Sequence, residues 1–141
     1  MVKEVNRSNN ESMGRYILSK RKIYLNEIWG KQVNLMIPQR KLLQEYKDVL
    51  FLDFIKKERK EVNVAVFTDC IVTFQPSSFY SKEKYYTHVL FNELSYAIEM
   101  ENMKYYKNII KVVGRKSKIT LMTKTEEEKG KFLSLKFRPN Y

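Results

Sequence analysis

The stretch Glu61-Val62-Asn63-Val64-Ala65-Val66-Phe67-Thr68-Asp69-Cys70-Ile71-Val72-Thr73-Phe74 leaves the chain little choice of local structure. Two runs of β-branched and aromatic residues flank Thr68-Asp69, the pattern of strand, tight turn and strand. The two-residue period of a strand puts Val62, Val64 and Val66 on one face and Asn63, Ala65 and Phe67 on the other. The turn has no Asn-Gly or Asp-Gly pair, so the hairpin rests on its flanks. Directly upstream lies Lys56-Lys57-Glu58-Arg59-Lys60, a basic loop delivered into the hairpin. A basic loop on a β-scaffold suggests a module that binds an anionic surface.

Around this hairpin the chain reads as helix, about seven strands, helix. Met1 to Asn10 is polar and is expected to be frayed. From Glu11 to Trp29, Met13, Tyr16, Ile17, Tyr24, Leu25 and Ile28 recur at three- and four-residue spacings, describing an amphipathic helix that Gly30 can end. The cluster Lys20-Arg21-Lys22 lies mid-helix; a solvated helix face is favoured over a membrane or acidic-partner face. Pro38 breaks any continuing helix. Strands are expected over Leu42–Phe54, on either side of Thr68-Asp69, and over Tyr85–Phe91, Leu94–Met100, Asn108–Val113 and Lys118–Met122. Gln75 to Lys82 is a loop by its Pro and Ser content, and Gly114 to Ser117 is a turn. Thr125 followed by Glu128 is a capping box opening a final helix, with Phe132, Leu133 and Leu135 as its apolar stripe.

Composition narrows the function. The 141 residues are 43% hydrophobic and 13% aromatic, enough for one domain with a real core. Lys and Arg number 27 against 16 acids, a net charge of +11. Such a balance attracts phosphoinositide-bearing membrane, nucleic acid or an acidic protein face. The one cysteine, Cys70, forms no internal disulfide and reads as a small buried hydrophobe. The one histidine, His88, falls mid-strand, and no third group is signalled to orient a Cys70–His88 pair. The glycines (14, 30, 114 and 130) form no phosphate-cradling loop. No enzyme, cofactor or metal site is therefore expected. With neither a secretory signal nor a membrane span in view, the expected location is cytoplasmic, peripheral at the membrane.

The basic loops carry the ligand expectation. Lys56, Lys57, Arg59 and Lys60 fall between the first two strands, and Lys82 and Lys84 between the third and fourth. Loops gathered at one open end of a β-barrel converge on a phosphorylated headgroup, with Arg giving forked contacts and Lys point charges. A second run, Lys104, Lys107, Lys111, Arg115, Lys116 and Lys118, contains no acid and either extends the membrane face or serves another partner. A nucleic-acid binder would need aromatics on a sheet face beside a basic groove; no RNA-binding motif is visible, and nucleic acid is not the expected partner.

In this order, the elements resemble a pleckstrin-homology domain, and more narrowly those that follow the Dbl-homology catalytic domain in Rho-family guanine nucleotide exchange factors. Gln39-Arg40-Lys41-Leu42-Leu43-Gln44-Glu45 resembles the family's entry into strand one. Val66-Phe67-Thr68-Asp69-Cys70-Ile71-Val72 resembles its second hairpin. Val89-Leu90-Phe91-Asn92-Glu93-Leu94-Ser95 resembles its entry to strand five, and Thr125 to Leu133 its closing helix, with Phe132 where the family usually carries Trp. The resemblance implies a mainly β fold: a seven-stranded bent barrel over 35–137, closed at one end by the C-terminal helix. It follows an N-terminal helical extension over 1–34 and precedes a tail at 138–141. The family's phosphoinositide pattern, a Lys in strand one followed by Lys/Arg-x-Arg, is matched by Lys47 and then Lys57-Glu58-Arg59. The implied partners are phosphoinositide-containing membrane and a Rho-family small GTPase or an adjacent catalytic domain, for which this chain is too short. The oligomeric state is not legible.

Overall fold

The structure, a computed structural model, describes residues 2–135, with side-chain surroundings from Gly14 onward. The expected tail at 138–141 lies outside the described residues. The elements are α1 (Val2–Trp29), β1 (Leu42–Asp53), β2 (Glu58–Phe67), β3 (Cys70–Gln75), β4 (Lys84–Leu90), β5 (Tyr96–Glu99), β6 (Ile109–Val113), β7 (Lys118–Met122) and α2 (Glu126–Leu133). The seven strands form one antiparallel sheet in the order β4-β3-β2-β1-β7-β6-β5. β1 carries the curvature. Its register slips between Tyr46 and Val49, where Asp48 takes the left-handed conformation (φ 56°). Such a bulge bends a strand, and beyond it Leu50, Leu52 and the intervening Phe51 pair with both β2 and β7.

The seven strands, the mainly β composition and the two helices are as expected; the bent sheet is not closed, since its edges are β4 and β5 and these two strands do not pair. The corner between them is held by the β6–β7 turn instead. Arg115 N–H of that turn donates to Leu90 C=O at 2.7 Å, and the β2–β3 turn adds a second tie, Phe91 N–H donating to Asp69 C=O at 2.9 Å. A side chain on Gly114 would meet the Leu90 carbonyl oxygen at 2.5 Å, so this approach requires glycine.

The hairpin of β2 and β3 is apolar on both faces because both are covered. Inside the bend, Val62, Val64, Val66 and Ile71 pack with Val89, Ile110, Leu121 and Phe132. Outside, Ala65, Phe67, Cys70, Val72 and Phe74 pack against Leu25 and Trp29 of α1 and against Val33 and Leu35 of the linker. The helix begins at Val2, not after Asn10; no Gly or Pro interrupts the chain before Gly14. Its packed stripe also differs from expectation. Leu18, Tyr24, Leu25, Ile28 and Trp29 face the sheet, while Tyr16 and Ile17 are exposed. The side chain of Met13 lies outside the described residues.

Polar contacts lock the helix in place. Arg21, expected in a solvated cluster, grips Glu45 with both carboxylate oxygens (2.9 and 3.0 Å) and reaches Glu83 at 3.0 Å. Lys22 donates to Arg40 C=O at 3.1 Å, so of that cluster Lys20 alone is an exposed cation. Charge here selects a docking geometry that the apolar stripe leaves open. The entry to β1 is pinned likewise. Buried Arg40 is bidentate with buried Asp69 of the β2–β3 turn (2.8 and 2.9 Å) and also donates to Asn34 C=O.

α2 starts as its cap dictates: Thr125 Oγ1 accepts from Glu128 N–H at 3.1 Å. Phe132 is buried with its ring centroid 4.3 Å from that of Tyr46. The helix ends at Leu133, so Leu135 packs on the core from beyond it. Gly130 sits in this short helix with open space where a Cβ would go and no positive φ. Gly130→Ala should therefore stabilise the protein by roughly 1 kcal/mol, read as a raised midpoint in urea; an unchanged or lower midpoint would mean that α2 adds little to global stability.

Candidate functional site

The β1–β2 turn is shorter than the sequence suggests. Phe54 to Lys57 make the turn, with Lys57 in the left-handed conformation (φ 56°), and Arg59 and Lys60 already lie on β2 opposite Leu52 and Phe51. Asp53 shapes the tip: its Oδ1 accepts from Ile55 N–H and Lys56 N–H, both at 3.0 Å. That carboxylate therefore faces the turn backbone. Lys56, Lys57 and Arg59 are exposed, while Lys60 is half-buried, its Nζ 4.4 Å from the centroid of the Tyr86 ring. Tyr86 meets Phe51 edge-on at 5.1 Å, so the first, second and fourth strands share one amphipathic wall.

Strand polarity brings the second loop to the same end. β1 and β3 both run antiparallel to β2, so the β1–β2 turn and the β3–β4 connection leave the ladder in one direction. That connection carries exposed Lys82 and, at the start of β4, exposed Lys84. Between them Glu83 turns the other way. It is buried, its carboxylate bonded to Arg21 and to Tyr24 Oη, and its carbonyl oxygen accepts from Trp29 Nε1 at 3.1 Å. Burial opposes its ionisation, but its own backbone N–H, Arg21 and Tyr24 outweigh that and hold the carboxyl below the usual range. Among the described residues none of the six loop and strand cations, Lys56, Lys57, Arg59, Lys60, Lys82 or Lys84, is in an ion pair.

Lys47 stands apart. It lies on β1 next to Tyr46, which pairs with Val64, whereas Arg59 pairs with Leu52. Four to five residues of strand separate the two levels, about 15 Å. It lines one cleft with Lys124, Thr125 and Glu127 at the start of α2 and another with Pro76, Ser77 and Glu83 of the β3–β4 connection.

Two members of the second basic run join the β1–β2 turn. Lys111 and Lys118 line a cleft of about 370 Å³ with Asp53, Phe54, Ile55 and Met100. Sequence spacing gives no sign of this. The adjacency follows from β7 pairing with β1 at Leu52↔Thr120 and with β6 at Lys111↔Thr120. Arg115 and Lys116 lie elsewhere, on the β6–β7 turn, beside His88 and Leu90.

The nucleophile candidates are quiet. Burial pushes the Cys70 thiol up to about 12, outweighing the opposing pull of Arg40, so the group is protonated at neutral pH. His88 Nδ1 shares a hydrogen bond with Tyr85 Oη, and burial, with Arg40 nearby, lowers its basicity. Among the described residues no cluster of metal-ligating side chains occurs, and no helix is long and apolar enough to cross a membrane.

No protein-family model and no curated protein matches the sequence. Solved structures match by shape. One is the crystal structure of an N-terminally truncated linker-DH/PH fragment of p115-RhoGEF, with a TM-score of 0.55 and 15% identity over 75% of this chain. The fold is that of a pleckstrin-homology domain. The chain spans 30% of that fragment's length, so the likeness extends to one part of a larger protein. Within the pleckstrin-homology fold, the residues that carry the resemblance in sequence are structural. Arg40 pairs with Asp69, Glu45 with Arg21, and Phe132 plugs the core. The basic end is built from residues outside those motifs.

Proposed function

We propose that this chain is the pleckstrin-homology module of a Rho-type guanine nucleotide exchange factor. It binds anionic phosphoinositide membrane and positions an adjacent catalytic domain that the chain does not contain. The single observation that supports lipid binding is the convergence of the β1–β2 turn and the β3–β4 connection on one end of the sheet, with Lys56, Lys57, Arg59, Lys60, Lys82 and Lys84 free of ion pairs among the described residues. Near an anionic leaflet each such side chain contributes on the order of 1 kcal/mol, which makes recruitment weak and reversible. Lys111 and Lys118 extend this surface from the far side of the β1–β2 turn. Lys47, four to five residues away along β1, would reach such a headgroup only with its side chain extended toward the β1–β2 turn.

Co-sedimentation with liposomes, with and without phosphatidylinositol bisphosphate, tests the reading. Lys57→Glu/Arg59→Glu should lower phosphoinositide-dependent binding at least tenfold, because two attractive charges become repulsive. Equal binding by the native chain and the variant would count against this surface.

A second reading keeps the fold and drops the lipid: a protein scaffold that contacts a small GTPase or its own catalytic domain. Edge strand β5 supports it, since Tyr96 and Ile98, with Leu94 just before them, are exposed along a strand that is unpaired on one side. Under this reading the same charge reversal leaves partner binding unchanged.

A further inference from the structure

The β3–β4 connection ends in a feature that the charge argument does not use. Ser78 and Ser81 exchange backbone hydrogen bonds (Ser78 N–H to Ser81 C=O, 2.8 Å, and the reverse, 3.3 Å), and their hydroxyls meet at 2.9 Å. This clamp makes a tight turn whose two central residues are Phe79 and Tyr80. Such positions are ordinarily taken by Gly, Asn, Asp or Ser, which suit the backbone and water. Here two adjacent aromatics stand 95% and 94% exposed, packed edge-on against each other at 5.2 Å. The β1–β2 tip repeats the arrangement: Ile55, 96% exposed, projects from the turn that Asp53 holds. Strand polarity sends both tips out of the same end of the sheet.

We propose that Phe79 and Tyr80, with Ile55, insert into the interfacial layer of an anionic bilayer, so that this end of the domain wedges into lipid as well as resting on its charge. The inference builds on the lipid reading above. Charge selects a bilayer over an apolar protein groove. The apolar tips are flanked by Lys56 and Lys57 on one side and Lys82 and Lys84 on the other. Of the acids nearest these tips in sequence, Glu83 is directed to Arg21 and Tyr24 and Asp53 to the turn backbone, while Glu58 is exposed and outnumbered by Lys56, Lys57 and Arg59 beside it. An aromatic tip beside a surplus of outward cations matches the layering of a leaflet, with phosphates above and acyl chains below. Tyr80 brings the aromatic-plus-hydroxyl character that favours the headgroup level.

A Phe79→Trp variant reports insertion directly, since Trp29 is buried and supplies a constant background. On vesicles of phosphatidylcholine with phosphatidylinositol bisphosphate, its emission should shift to the blue and be quenched when brominated lipid is included. Phe79→Ser/Tyr80→Ser, which touches no core residue and should melt like the native chain, should sediment with those vesicles about tenfold more weakly. Its residual binding should be more salt-sensitive than that of the native chain, because charge alone remains. Sedimentation without blue shift or quenching, and with the double variant binding like the native chain, would overturn insertion and leave recruitment by charge. Failure of the native chain to sediment with any anionic vesicle would overturn both.

Discussion

Arg40→Met should destabilise the protein by about 3–5 kcal/mol. Arg40 is 6% exposed and Asp69 3%, and the two share a bidentate contact that ties the end of the α1–β1 linker to the β2–β3 turn. Burial alone would weaken the guanidinium's hold on its proton, yet the hydrogen bond with Asp69, together with nearby charge interactions, outweighs it and raises the Arg40 pKa above the ordinary value, so the guanidinium stays charged. Removing Arg40 leaves the carboxylate of Asp69 buried without its partner and frees the Asn34 carbonyl at the same time. The melting temperature should fall by on the order of 10 °C for a domain of this size. The double variant Arg40→Met/Asp69→Leu removes both charges and should recover much of the loss, since replacing a whole buried pair is far cheaper than breaking it. A loss below about 1 kcal/mol for the single variant would mean that solvent reaches Asp69 and that the linker is not pinned there.

Trp29→Ala should cost about as much, roughly 3–5 kcal/mol, but the loss is local. Trp29 is fully buried, its ring centroid 4.8 Å from that of Phe74, and its Nε1–H satisfies the carbonyl of Glu83. Truncation opens a cavity between α1 and the outer face of β3 and orphans that carbonyl. Hydrogen exchange should show lost protection in α1 and at the β3–β4 connection, while the β5, β6 and β7 amides stay protected. Trp29→Phe keeps most of the packing, loses the one hydrogen bond and should cost only about 1–2 kcal/mol. Uniform loss of protection across the whole sheet would show that the helix and sheet unfold as one unit.

Acid acts on the same joint. The Glu83 carboxyl is held below its usual range, so its contribution is fully present above the ordinary glutamate value of about 4.3 and fades as pH falls through the lower native value. Protonation there weakens the contacts from Arg21 and Tyr24, so α1 should loosen in acid before the inner core does.

The two joints also show where sequence reading stops. The six cations assigned to loops lie at one end of the sheet because hairpin polarity is a local matter, and turn positions follow from composition. The choice of helix face did not follow. Tyr16 and Ile17 satisfy the same spacing as Leu18, Tyr24 and Leu25, and only the shape and charge of the sheet's outer face decide between them. Arg21 looked like one cation among three; Glu45 and Glu83, 24 and 62 residues away, give it its role. The cleft formed by Lys111 and Lys118 is missed for the same reason, since it depends on β7 pairing with the far end of β1. The aromatic tip at Phe79-Tyr80 carried a sequence signal that the loop assignment passed over: two large rings in a Ser-rich turn.

By itself, the amino-acid sequence determined the strands and their turns, the capped closing helix, the basic character and the resemblance in order of elements. These depend on the two-residue and 3.6-residue periods, on turn chemistry and on charge count, all set by neighbours along the chain. The tertiary structure alone decided that the sheet stays open between β4 and β5, that α1 packs on its outer face, and which charges are spent inside. Those outcomes depend on contacts between residues tens of positions apart, where packing space and the cost of burying an unpaired charge select one arrangement from several that the local pattern permits.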